Sequence, residues 1–131
     1  MLGRFRFFAL YIISILGGSV AVLWLSDPQT PVVGASGALF GLMGAFFVVI
    51  RTLGGNPTQI FLLIAINFSM GFFVSGISWE GHLGGLVTGV AIASVYSATR
   101  RPNQRVAQFL GVVIVLAVLS VLTLWRIQAW I

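Results

Sequence analysis

Two polar side chains in this sequence have the chemistry of a nucleophile and its base. Ser36 stands in the stretch GASGALFG, and His82, the only histidine, stands in WEGHLGG. A serine hydroxyl attacks a carbonyl poorly until a neighbouring base accepts its proton, and neutral imidazole is the usual base. No cysteine is present, which excludes disulfides and thiolate metal sites. One histidine and two acids, Asp27 and Glu80, leave little from which to build a metal centre. Glu80 is two residues from His82 and does not share its face on a helix, and Asp27 falls in a loop. A Ser–His dyad without a third member is therefore the most that the chain supports. A serine among glycines is equally at home as a helix-packing residue, so both roles stay open at this point.

The elements that must position these groups are membrane helices. The chain has 131 residues, 59% hydrophobic and 7% charged, with a mean hydropathy of +1.09. Soluble domains carry about a quarter charged residues, so this inventory cannot cover a water-facing surface. A bilayer core takes about 20 apolar residues as helix. Five runs meet or approach that length: Phe7–Leu25, Val33–Ile50, Ile60–Ser78, His82–Ala98 and Ala107–Trp125. SDPQTP, LGGNP, SWEG and RRPNQR separate them. Backbone polar groups must be satisfied within lipid, so the expected fold is all-α, a polytopic bundle of five transmembrane helices. It is a single membrane domain, 1–131, with no soluble domain and no internal repeat.

Charge fixes the expected orientation. The seven basic residues are all arginines, in short loops rather than one patch, which suits membrane topology and not nucleic acid. Arg4, Arg6, Arg51, Arg100, Arg101 and Arg105 fall on one side if every run crosses, and that side is cytoplasmic by the positive-inside rule. Asp27 and Glu80 fall outside. Arg126 is the exception, placed to snorkel at the outer end of the last helix. Trp24, Trp79, Trp125 and Trp130 mark an outer aromatic belt. Asn67, inside the third run, is expected to bond across to another helix.

Ser36 and His82 then lie at the outer ends of two parallel helices, and both helices carry glycine stripes. Gly37, Gly41 and Gly44 share one face of the first, and Gly85 and Gly89 form a G-x-x-x-G pair on the second. Small-residue stripes let backbones approach closely in lipid. If the two stripes face each other, Ser36 and His82 differ in height by roughly 3 Å at the helical rise. Phe40, one turn below Ser36, lies on the same side. The Ser36 amide is among the N–H groups left without an intrahelical partner at a helix start, where it could hold an oxyanion.

These motifs resemble those of the rhomboid family of intramembrane serine proteases. GASGALFGLMGAF resembles the G-x-S-G nucleophile motif that opens the family's fourth core helix. GHLGGLVTG is similar to the A-H-x-x-G-x-x-x-G motif of its sixth, with Gly81 where alanine is usual. LGRFRFFALYIISILGG looks like the loop and helix preceding the nucleophile. The resemblance covers Leu2 to about Ala98: core helices in 1–99, a linker at 100–106, and an extra C-terminal transmembrane helix in 107–131. It implies Ser36 as nucleophile and His82 as base and later acid. Gly34 and the Ser36 amide would shape the oxyanion site, and Phe40 would pack against the imidazole. It also implies hydrolysis of peptide bonds in or near transmembrane segments of protein substrates, without metal or cofactor, in a multi-pass protein of the bacterial plasma membrane with its N-terminus cytoplasmic.

The match begins at the family's third core helix. The first two spans, the loop between them with its Trp-Arg feature, and the second helix's H-x-x-x-N pair have no counterpart here. The expectation is a C-terminal portion whose activity depends on those N-terminal helices as partners alongside the lipid bilayer. The alternative is a proteolytically inactive rhomboid-like protein that binds transmembrane clients. A transporter or scaffold fits less well, because the intramembrane charges such a pathway often uses are missing.

Overall fold

The computed structural model describes residues 3–26, 35–74 and 76–130. These fold as five α-helices: α1 (Gly3–Leu25), α2 (Ala35–Thr52), α3 (Thr58–Phe73), α4 (Trp79–Ala98) and α5 (Arg105–Trp130), with a 3-10 turn at Pro102–Gln104 leading into α5. The protein is an all-α bundle. By length and composition α1, α4 and the α5 segment can each cross a membrane, whereas α2 and α3 are shorter apolar helices. At 1.5 Å per residue the 16 residues of α3 reach only about 24 Å, less than a typical hydrocarbon core.

α1 starts earlier and α5 runs further than expected, and two boundaries at the α3–α4 junction also differ from the sequence expectation. The third run was expected to continue to Ser78, but α3 stops at Phe73, Val74 is extended, and Gly76 takes a positive φ of 87°. The fourth run was expected to start at His82, but α4 starts three residues earlier. Ser78 caps it, its Oγ accepting from the Gly81 N–H at 3.1 Å. The residues between, VSGIS, mix apolar side chains with small polar ones, so hydrophobicity alone does not mark this junction. A glycine free to adopt positive φ and a serine able to cap do. The first two residues of the expected Val33–Ile50 run lie outside the described residues.

α1, α2 and α4 form the centre. Tyr96, in the last turn of α4, donates its hydroxyl hydrogen bond to the Arg6 carbonyl at 3.1 Å, so α1 runs antiparallel to α4. Leu10, Ile13, Ala45, Ile92, Ala93 and Tyr96 make the buried apolar cluster. The broad apolar exposure elsewhere, from Phe7 and Phe8 to Val121 and Leu124, is what a lipid-facing surface requires.

α5 contributes no buried residue. It docks through Gly111, against Val95, and through Leu122, whose carbonyl accepts from Trp24 Nε1 at 3.1 Å. Trp24 meets Trp125 edge-on at 6.1 Å. Arg126 sits 5.4 Å from the ring centres of both Trp24 and Trp130, and its Nε donates to the Leu23 carbonyl at 3.3 Å. Its charge thus rests on aromatic faces at the end of the bundle. Trp79 lies apart from this group, stacked on Phe72 at 5.5 Å.

Candidate functional site

The site is built where α2 and α4 cross, and glycine permits the approach. A methyl group added at Gly85 would run into the Gly37 carbonyl, and one at Gly89 into the Gly41 carbonyl. Both pairs are separated by 48 residues, so the two helices run parallel with the Gly37 turn level with the Gly85 turn. Gly44 continues the stripe, a Cβ there lying 2.9 Å from Val90 and 3.0 Å from Leu86. Ser36 precedes Gly37 by one residue and His82 precedes Gly85 by three, which sets their Cα positions within about one helical turn of each other along the axis.

The imidazole of His82 is 6% exposed. It stacks on the Phe40 ring with centroids 4.1 Å apart and planes at 19°. Phe40 is one helical turn beyond Ser36 on α2, so the ring stacking brings the His82 side chain to the flank of α2 that carries Ser36. His82 Nδ1 is buried and has no hydrogen-bond partner among the described residues. Glu80 accepts from Ser78 Oγ at 3.1 Å, within the first turn of α4. Gly34 lies outside the described residues. Ser36 itself is half-buried in the first turn of α2.

Three features of this region escape the sequence reading. First, α1 is a third member of the crossing. Gly18 faces the Gly81 carbonyl, 2.8 Å from where a Cβ would sit, and the Gly37 Cα. Gly17 faces Thr88, and Ser14 faces Gly41. Ser14 is fully buried, and its Oγ has no hydrogen-bond partner among the described residues. The signal was available as the small residues of SILGGS, spaced to share a helix face. Second, aromatic rings run outward from the imidazole: Phe40 to Phe68 at 6.4 Å, Phe68 to Phe72 at 5.5 Å, then Phe72 to Trp79. The i, i+4 spacing of Phe68 and Phe72 is its only trace in sequence. Third, among the described residues Asn67 bonds within its own helix and not across to another; its Nδ2 donates to the Leu63 carbonyl at 2.8 Å within α3.

A bundle of apolar helices with a serine and a stacked, buried histidine at one glycine crossing defines an integral membrane protein with a polar site inside an apolar frame. Comparison with known proteins supplies the family. The rhomboid domain model matches residues 1–99, which include both motifs and exclude α5. Among curated proteins, rhomboid protease GluP of Bacillus subtilis (strain 168) is 39% identical over 102 residues, covering 72% of this chain and 19% of the relative. RHOMBOID-like protein 5 of Arabidopsis thaliana is 39% identical over 101 residues, covering 71% and 32%. The putative rhomboid protease YdcA of Bacillus subtilis (strain 168) is 35% identical over 99 residues, covering 71% and 49%. No solved structure gives a significant match. This chain belongs to the rhomboid family. It spans from about a fifth to a half of the length of these relatives.

Proposed function

We propose that the protein is an intramembrane serine endopeptidase working through a Ser36–His82 dyad. The observation that carries this reading is the stacking of the buried imidazole on Phe40 beside the Gly37–Gly85 crossing. It supports His82 and Ser36 acting together, because the base is held against the helix that carries the nucleophile.

In this mechanism His82 Nε2 takes the Ser36 proton as Oγ attacks the scissile carbonyl of a transmembrane protein substrate. The Ser36 amide, in the first turn of α2, donates to the resulting oxyanion, and Gly34 shapes the same region. The imidazolium is steadied by the electron-rich Phe40 face, then passes its proton to the leaving amine. Water, deprotonated by His82, hydrolyses the acyl-enzyme and returns Ser36 to the hydroxyl form. Every proton step uses one nitrogen, consistent with a buried Nδ1. The arginine-bearing end is cytoplasmic, which places the dyad towards the opposite leaflet.

Turnover of a single-span reporter whose cleavage region carries small, helix-destabilising residues tests the proposal. Cleavage lost on His82→Ala, and lost on Ser36→Ala, is the expected result. A well-folded protein that captures such a reporter without cutting it would favour the client-binding alternative.

A further inference from the structure

The arginine-bearing end of the bundle holds a cavity, walled by polar and apolar side chains, that the dyad does not use. Its volume is about 270 Å³, and its walls include Arg6 of α1, Thr52 of α2, Tyr96 and Ser97 of α4, Arg100, and Gln108 of α5. Two guanidinium groups line one small space, and like charges so placed repel. Among the described residues, no carboxylate is placed to offset them. The chain's only acids are Asp27 and Glu80; Glu80 is in the first turn of α4, at the far end from Arg100, and Asp27 follows the far end of α1 in sequence. The countercharge must come from outside the described residues.

The donors are arranged in advance. Arg6 Nε donates to Gln108 Oε1 at 2.8 Å, and Gln108 Nε2 donates to Thr99 Oγ1 at 3.2 Å. Tyr96 ties the Arg6 backbone to α4. Thr52 and Ser97 place two hydroxyls 3.4 Å apart on the wall. Two guanidiniums with hydroxyl donors are the chemistry that recognises a phosphate group. The cavity also has an apolar neighbour: Val49 lines both it and an apolar groove of about 1100 Å³ bounded by Phe7, Phe8, Phe46 and Leu63. A phosphate beside an apolar channel suits an amphiphile better than a free ion.

We propose that this cavity binds the phosphate of an anionic phospholipid headgroup. The site needs only the phosphate chemistry, which inorganic phosphate shares, so the test separates the two sources. The whole chain in neutral detergent is titrated with phosphatidylglycerol, with phosphatidylcholine and with inorganic phosphate, and affinity is read from the shift in melting midpoint and from lipid retained in native mass spectrometry. Phosphatidylglycerol is expected to bind more tightly than phosphatidylcholine. Each guanidinium in direct contact with the phosphate contributes roughly fivefold in affinity, so Arg6→Gln/Arg100→Gln should weaken binding about 25-fold. The pair Arg101→Gln/Arg105→Gln, at the same end but outside the cavity, should cost far less. Arg100→Gln alone, at the end of α4 where it disturbs the fold least, should cost about fivefold. A response to inorganic phosphate with the same residue dependence would assign the site to a soluble phosphate and overturn the lipid assignment. Equal binding of the two lipids, or equal losses in the two double variants, would overturn the site itself.

Discussion

At the scale of single residues, the sharpest consequences follow from groups that are buried and tightly placed. Ser14 Oγ is fully enclosed against Gly41 and has no partner among the described residues. Removing an unsatisfied hydroxyl relieves a desolvation cost, so Ser14→Ala should leave stability unchanged or raise it by up to about 1 kcal/mol. Ser14→Val, which pushes a methyl toward the Gly41 backbone, should lower it by about 1–3 kcal/mol; reversible unfolding in mixed micelles compares the two. Phe40 acts on His82 through ring contact. Phe40→Ala should reduce kcat/KM roughly tenfold, the order of one aromatic stacking interaction, while Phe40→Tyr keeps the ring and most of the rate. Residue type and spacing alone marked Ser36 and His82 as a candidate pair, because each stands beside a glycine stripe, and left a packing role for the serine equally open. Ser14 was not legible, since a serine inside a uniformly apolar run gives no sign of which neighbour it will meet.

At the scale of elements, the pairing of α2 with α4 could be read from their stripes and the histidine, whereas α1 offered only the small residues Ser14, Gly17 and Gly18 as a signal. Gly17 and Gly18 fall in an apolar run with no polar face to orient it, and in lipid nothing in hydrophobicity distinguishes a helix-facing side from a lipid-facing one. Likewise, the end of α3 was hidden because VSGIS reads as more span, when Gly76 and Ser78 are turn and cap. The close approach at Gly85 makes a sharp test of the crossing. A Cβ there would collide with backbone, which cannot rotate away, so Gly85→Ala should destabilise the bundle by about 1–3 kcal/mol. Gly54, with open space around its Cβ position but a positive φ of 81°, should cost only about 1 kcal/mol when changed to Ala, from backbone strain. Thermal melts of the two variants should rank in that order.

At the scale of the whole molecule, the family match and the packing divide the chain in the same place. The match ends at residue 99, and α5 beyond it buries nothing completely. Deleting α5 should therefore leave the α1–α2–α4 crossing formed, with the His82–Phe40 stack retained, while releasing Trp24 from Trp125 and Leu122. A red shift in tryptophan emission with helicity per residue unchanged would show this; collapse of the remaining helices would show that α5 is integral to the core.

If the α2–α4 crossing makes Ser36 a nucleophile activated by His82, a serine-directed probe reports it. The most direct measurement is labelling with a fluorophosphonate probe in a bilayer, followed by mass spectrometry of the modified peptide. One adduct is expected, on Ser36, abolished by Ser36→Ala and strongly slowed by His82→Ala, with Ser14→Ala unaffected. An adduct elsewhere, or labelling of Ser36 at the same rate without the imidazole, would contradict this pairing.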